Sequence, residues 1–325
     1  MQRRKLGKLD VSAIGLGCMS MTPIYGEPDP AAAIATIHRA GELGIDFLDT
    51  SDAYAAGKNE ELVARALVGR RDKYVLATKF GNLRRPDGTP AVDGRPEYVR
   101  QACEASLRRL QTDVIDLYFI HRVDPTVPIE DTVGAMAEFV KQGKVRHLGI
   151  SEAGPNTIRR AHATHPMAAL QTEYSLWSRD VEGGILALCQ ELGIGFVAYS
   201  PLGRGFLTGT ITAAAQIPAK DVRSHMPRFT GDNMTRNLEL VAELKKLAQA
   251  ERCTPAQLAL AWVLARRPWI VPIAGTSHPH YLEENAAAAA LSLSAATEAA
   301  LERIFKPGAA LGTRYPEAMM SRVGI

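Results

Sequence analysis

Four residues carry the first chemical signal in this chain: Asp49, Tyr54, Lys79 and His121. Asp49 ends the apolar run FLD, and Tyr54 follows it on the polar stretch TSDAY. Lys79 ends YVLATK, and His121 ends IDLYFIH. Tyrosine is a poor acid near neutrality, with a pKa of about 10. A neighbouring ammonium stabilises phenolate and lowers that value. A carboxylate keeps the ammonium charged and in place, and an imidazole can orient or polarise a carbonyl oxygen. The set suits protonation of an oxygen while something else delivers hydride. Taken singly, each residue reads more readily as a loop cap or a surface charge. Their coincidence at the ends of successive apolar runs is what favours chemistry.

Those runs must belong to elements that bring their ends together. Eight occur: AIGLG (Ala13–Gly17), FLD (Phe47–Asp49), YVLATK (Tyr74–Lys79), IDLYFIH (Ile115–His121), VRHLGIS (Val145–Ser151), ALQTEY (Ala169–Tyr174), GFVAYS (Gly195–Ser200) and IVPIAGT (Ile270–Thr276). None alternates strictly between polar and apolar, as expected of parallel strands buried on both faces. Amphipathic helical spacing separates them, as in Val133, Met136, Ala137 and Val140, or Leu240, Leu244 and Leu247. Thr254-Pro255-Ala256-Gln257 is a helix start with a capping threonine, an early proline and a glutamine three residues on. Strand then helix, eight times over, predicts an α/β fold, the parallel (β/α)8 or TIM barrel, ahead of a doubly wound sheet. The opening RRKLGKLDVSAIG predicts a β-hairpin that caps the barrel floor. After Asn285 an Ala-rich helix leads to Ser294, an N-cap for an extra helix through Ile304, followed by the tail RYPEAMMSRVGI. No linker rich in Gly, Ser or Pro interrupts residues 1–325, so one domain is expected.

In such a barrel the chemistry gathers at the C-terminal strand ends. The remaining polar ends are Ser151-Glu152, Gln171, Tyr199-Ser200 and Gly275-Thr276. Gly15-Leu16-Gly17 and Gly203-Arg204-Gly205 lack the full GxGxxG spacing with a downstream acid, so they are not dinucleotide fingerprints by themselves. Backbone amides near Gly203 can still cradle phosphate oxygens.

Composition excludes other classes. The 325 residues are 46% hydrophobic and 22% charged, with a net charge of +3. That charge is too small to imply nucleic-acid binding, and no basic run with interleaved aromatics occurs. The start MQRRKLGKLD has no apolar core of a secretory signal. No apolar stretch approaches the ~20 residues of a membrane span. Cys18, Cys103, Cys189 and Cys253 are widely spaced and fit neither a disulfide framework nor a zinc pattern. A cytoplasmic protein with reduced thiols, no membrane contact and no nucleic acid is expected, with no metal. His162 and His165 are three residues apart on an expected helix but have no third ligand, and read as surface histidines.

Set in order along the chain, these segments resemble the aldo-keto reductases. DTSDAYAAGKNEELVARAL, ATKFG and DLYFIHRVDPTVPIEDTV are similar to that family's catalytic segments. VRHLGISEA, LQTEYSLW, VAYSPLGRGFLTG and GTSHPHYLEEN are similar to its cofactor segments. The resemblance runs from about Lys5 to Leu293 and is nearest to the bacterial and plant branch with SEA after the fifth strand, which includes perakine reductase and auxin-induced relatives.

The resemblance implies an NAD(P)H-dependent oxidoreductase that reversibly reduces an aldehyde or ketone. It implies Tyr54 as the acid, Lys79 depressing its pKa, Asp49 paired with Lys79, and His121 orienting the carbonyl. It implies Ser151 and Gln171 at the nicotinamide carboxamide and Tyr199 stacked on the ring. Ser200, Leu202, Gly203 and Arg204 would pass the pyrophosphate. Gly275, Thr276, Ser277 and His278 through Asn285 would hold the adenosine end, with Glu284 and Asn285 at the adenine. Gly17 and Met19 would lie under the cofactor, Asp49 beside it, and Cys18 near it. NADP(H) is expected, with NAD(H) possible, because Ser277, His278, Pro279 and His280 stand where relatives place Lys or Arg. The preference should strengthen as His278 or His280 gains a proton. Trp177 and Tyr25 either line a substrate pocket or cover apolar surface. Arg204, Arg122 and Arg314 either form a basic mouth for anionic substrates or face water or cofactor. Two other readings stand beside the reductase: a Schiff-base aldolase with Lys79 as nucleophile, and a cofactor-binding regulatory subunit with little turnover. The substrate and the oligomeric state are not legible in the sequence.

Overall fold

The computed structural model describes residues 1–85 and 87–325. Among these residues twelve strands form: β1 (Arg3–Leu6), β2 (Leu9–Ser12), β3 (Gly15–Gly17), β4 (Phe47–Asp49), β5 (Val75–Phe80), β6 (Asn82–Arg84), β7 (Pro90–Val92), β8 (Ile115–Ile120), β9 (Val145–Ser151), β10 (Met167–Glu173), β11 (Gly195–Tyr199) and β12 (Ile270–Gly275). Eleven α-helices among the described residues surround or follow them: α1 (Pro30–Glu42), α2 (Lys58–Leu67), α3 (Pro96–Leu110), α4 (Ile129–Lys141), α5 (Pro155–Thr164), α6 (Ile185–Leu192), α7 (Gly231–Ala250), α8 (Pro255–Arg266), α9 (Pro279–Ala287), α10 (Ala295–Ile304) and α11 (Glu317–Met320).

Eight parallel strands close in the order β10-β11-β12-β3-β4-β5-β8-β9, which is the (β/α)8 TIM barrel. Side chains alternate across each strand. One set points into the barrel, where Phe47, Ala77, Leu117, Phe119, Ala169, Val197 and Val271 form a closed inner core. The other set, including Leu48, Leu76, Tyr118, Leu148, Leu170 and Phe196, packs against the helices. Two inner positions are glycines for want of space. A Cβ on Gly15 would come within 2.6 Å of the Phe47 ring, and one on Gly149 within 2.4 Å of the Phe119 ring.

The hairpin β1–β2 closes the floor as expected: Leu6 and Val11 join the inner core. Leu6 sits against Gly195, the first residue of β11, so closely that a Cβ there would meet its Cα at 2.4 Å. The helix starts also follow the sequence. Thr254 and Gln257 form a reciprocal cap on α8, and Ser294 caps α10. A second hairpin, β6–β7, was not anticipated; it rises after β5 beside the mouth. Among the described residues no helix is long and apolar enough to cross a membrane.

Candidate active site

The inner alternation is what delivers the polar residues. Each is two positions beyond an inward-facing residue, on the same strand or, for His121, just past its end: Asp49 beyond Phe47, Lys79 beyond Ala77, His121 beyond Phe119, Ser151 beyond Gly149, Gln171 beyond Ala169, Tyr199 beyond Val197. Strand registers place Asp49 opposite Ala77, Lys79 opposite Phe119 and Ser151 opposite Gln171. The apolar plug ends, and the next inward layer is polar and lies at the C-terminal mouth.

Asp49, Tyr54, Lys79 and His121 meet there. Lys79 Nζ donates to Asp49 Oδ1 at 2.5 Å, to the Thr50 carbonyl at 2.9 Å and to the Tyr54 hydroxyl at 3.2 Å. Gln171 Nε2 donates to the other Asp49 oxygen at 2.8 Å. The Tyr54 and His121 rings stand edge-on with centroids 5.8 Å apart. Ser51 Oγ lies 3.0 Å from His121 Nδ1, which orients the imidazole. Tyr54 is held on a loop whose next two residues, Ala55 and Ala56, have φ of 49° and 53°. Left-handed backbone at two alanines costs free energy and is typical of functional loops.

Burial works against the Lys79 ammonium, but Asp49 and Tyr54 more than offset it, and its pKa is raised. That keeps the amine protonated and removes the free lone pair that Schiff-base formation needs. Burial also dominates at Tyr54, pushing its pKa up; Lys79 pulls it down by a smaller amount. The expected depression of the Tyr54 pKa is therefore present as a contribution but not as the net direction. Burial, then Arg122 and Lys79, hold His121 well below its ordinary value, so it is a neutral hydrogen-bonding group.

These residues open into a cavity of about 750 Å³. Its wall includes Gly17, Met19, Asp49, Tyr54, His121, Ser151, Gln171, Tyr199, Ser200, Leu202, Arg204, Gly275, Thr276, Glu284 and Asn285. Lys79 lies directly beneath, fully buried. Gly203, Ser277 and His278 are not on the wall. Gly203 turns its Cα toward Trp177, where a Cβ would lie 2.6 Å from the indole. His278 is exposed and caps α9, grouped with His280 and Tyr281. Trp177 is core, stacked on Phe206 with centroids 4.8 Å apart, whereas Tyr25 does line the cavity. Cys18 is buried off the wall, its thiol pushed up to about 12 by burial. His162 accepts from the Met167 amide at 3.2 Å. Among the described residues no group of three or more His, Cys, Asp or Glu is placed to hold a metal.

The tail supplies what the sequence could not show. Tyr315 and Met319 line the cavity. Arg314 forms two hydrogen bonds to the buried Glu152, at 2.8 and 3.1 Å, and Tyr199 donates to the same carboxylate at 2.8 Å. Glu152 itself has φ of 53°. Arg204 pairs with Glu173 at 3.3 Å. Of the three arginines of the expected basic mouth, two are thus neutralised, and only Arg122 has no carboxylate partner among the described residues.

A nicotinamide dinucleotide fits the features of this wall. Ser20 lines the cavity, and its Oγ is buried with no partner among the described residues, so a polar ligand group can satisfy it. The backbone of Ser200, Gly203, Arg204 and Gly205 has positive φ, folding this loop into tight turns in which the Gly203 and Gly205 amides donate to the Ser200 and Leu202 carbonyls at 2.9 and 3.1 Å.

The chain matches the aldo/keto reductase family over residues 13–306. It is 46% identical to a probable aldo-keto reductase from Glycine max over 318 residues, 96% of this chain and 91% of that one. A glycerol dehydrogenase from Gluconobacter oxydans superposes with a TM-score of 0.86 at 30% identity, covering 94% of this chain and 96% of that one. An aldo/keto reductase from Klebsiella pneumoniae, solved with NADP and acetate, gives 0.72 at 28% identity, covering 96% and 97%.

Proposed function

The chain belongs to the aldo/keto reductase family, oxidoreductases that act on carbonyl groups with a nicotinamide cofactor, and from that premise we propose that it reduces an aldehyde or ketone to an alcohol, reversibly, with NADPH preferred and NADH accepted. The observation that carries this reading is the hydrogen-bonded line from Asp49 through Lys79 to the Tyr54 hydroxyl at the floor of the cavity. When bound, the nicotinamide supplies the hydride. Tyr54, protonated at rest, gives its proton to the carbonyl oxygen. Lys79 stabilises the phenolate left behind, and Asp49 holds Lys79 charged. Neutral His121 hydrogen-bonds the carbonyl oxygen and fixes its approach.

The same layer serves the cofactor in this reading. Ser151 and Gln171 hold the carboxamide, and Tyr199, braced through its hydroxyl by Glu152 and Tyr315, flanks the ring. Ser200, Leu202, Gly203 and Arg204 pass the pyrophosphate. Gly275, Thr276, Glu284 and Asn285 hold the adenosine end, with Gly17 and Met19 beneath. Ser277, His278 and His280 stand at the start of α9, where helix amides favour an anion; this supports a 2′-phosphate there and hence NADPH. The Klebsiella pneumoniae relative solved with NADP supports the same choice. Four free cysteines suit a reducing cytoplasm.

Titration with NADPH and with NADH, followed by tryptophan quenching, tests the cofactor. A panel of aldehydes and ketones tests the reaction through loss of the reduced-nicotinamide absorbance. Binding with carbonyl-dependent oxidation is expected. Tight binding with no oxidation across the panel would favour a regulatory subunit.

A further inference from the structure

The charges around the cavity are not evenly balanced. Asp49 is engaged by Lys79, Arg204 by Glu173 and Arg223 by Asp221. Arg122 and Arg84 also line the cavity, and among the described residues no carboxylate pairs with either. A third guanidinium, Arg322 of the tail, donates to Asn82 Oδ1 at 3.0 Å and to the Ala91 carbonyl at 2.9 Å, and likewise meets no acid among the described residues. Asn82 is itself on the cavity wall. Three cations therefore gather on one side, where β8, the β6–β7 hairpin and the tail converge.

Arg122 is the member nearest the chemistry. It follows His121 directly and is part-buried. Its Nη1 donates to the His121 carbonyl at 2.6 Å and to Ser151 Oγ at 3.3 Å; its Nη2 donates to the Tyr315 hydroxyl at 3.4 Å. A guanidinium has five N–H donors, so two are left over after these three bonds. Glu152 acts on it only at longer range and makes no direct ion pair with it, because that carboxylate is bonded by Arg314, Tyr199 and the Glu173 amide. A part-buried cation with no directly bonded carboxylate is costly, and an incoming anion reduces that cost.

It touches Ser151 at the proposed nicotinamide end but lies away from the proposed adenosine end. In the ring of eight strands, β8 and β12 stand four places apart, so Arg122 faces the cavity from the side opposite Gly275, Thr276 and α9. We infer that Arg122, with Arg84 and Arg322 adding to the field, selects carbonyl substrates that carry an anionic group, a carboxylate or a phosphate, away from the carbonyl carbon. The inference rests on the reductase reading of this site and deepens it.

Two matched pairs test it: para-carboxybenzaldehyde against its methyl ester, and glyceraldehyde phosphate against glyceraldehyde. A charge-assisted hydrogen bond to Arg122 predicts kcat/KM about tenfold to a hundredfold higher for the anionic member, carried mainly by KM. The first pair reports a carboxylate, the second a phosphate, and preference in either supports the inference. Arg122→Gln should bring the ratio close to one, Arg122→Lys should restore part of it, and added salt should shrink it in the wild type. Anionic and neutral members used equally by the wild type, or a ratio unchanged in Arg122→Gln, would overturn it. Calorimetry with benzoate and benzamide decides the same point without turnover. Benzoate bound more tightly, with the difference lost in Arg122→Gln, supports the anion site even if no aldehyde is reduced, and that combination would fault the reaction alone. Equal binding of the two would overturn the anion site.

Discussion

Lys79 Nζ and Asp49 Oδ1 stand 2.5 Å apart with both side chains sealed from solvent, 0% and 2% exposed. Each charge is compensated there by the other. Removing one partner of a buried pair costs about 3–5 kcal/mol, because the remaining charge is stranded. Lys79→Met should therefore lower the urea midpoint sharply. Lys79→Met with Asp49→Asn should recover most of the loss while remaining inactive. Additive losses in the double variant would show that the two side chains are not coupled.

His121 gives a pH signature. Its pKa in the fold is well below the ordinary 6.5 because of burial and the nearby Arg122 and Lys79. The unfolded chain takes up a proton at the ordinary value and the folded chain does not. Stability from this site is thus full above that value and declines as pH falls below it, by up to about 1.4 kcal/mol per pH unit. Urea midpoints measured on acidification should fall less steeply for His121→Gln than for the wild type. Parallel slopes would remove His121 as the source.

Arg314 and Glu152, 162 residues apart, tie the tail to the end of β9. The tail end adds backbone bonds: the Gly154 amide donates to the Ile325 carbonyl at 2.6 Å, and the Gly324 amide to the Glu152 carbonyl at 2.8 Å. Burial alone would raise the Glu152 pKa, but Arg314 reverses that and holds it below 4.5. A depressed carboxylate contributes stability that is present above its unfolded value and lost as pH falls through its folded one. Arg314→Met should destabilise the protein by about 3–5 kcal/mol near neutrality and expose the tail to limited proteolysis. A tail as resistant as in the wild type would mean that the backbone bonds alone hold it.

The barrel was legible because strands buried on both faces leave continuous apolar runs, and each run here stops at a polar residue. Counting from Phe47 to Asp49 or from Phe119 to His121 already places the polar residue on the inward face. Tyr54 was legible through its neighbours, since nothing in TSDAY alone says which way the loop turns. The β6–β7 hairpin was not read, because Asn82–Arg84 and Pro90–Val92 carry too few apolar residues to mark strands. Glu152, Arg314 and Tyr315 could not be joined from sequence, as their contact spans half the chain and no periodicity reports it. The same holds for the three arginines: Arg84, Arg122 and Arg322 are far apart in the chain, and only folding shows that Arg204 and Arg314 are neutralised while these are not. Lys79 does lower the Tyr54 pKa, but the net upward direction was not legible for a related reason. Proximity of Lys79 can be guessed from motif order, but the depth of burial that outweighs it cannot.

The central claim is that Tyr54 gives the proton. Tyr54→Phe removes only the hydroxyl and leaves the Lys79–Asp49 pair in place, so folding and NADPH binding should be kept. The direct measurement is the rate of NADPH oxidation with a reducible aldehyde, wild type against Tyr54→Phe, at matched NADPH saturation. Loss of a general acid predicts a rate lower by about a hundredfold to ten-thousandfold with NADPH affinity unchanged. A rate within about threefold of wild type, far inside the loss expected for a general acid, would contradict the assignment and move the proton donor elsewhere in the cavity.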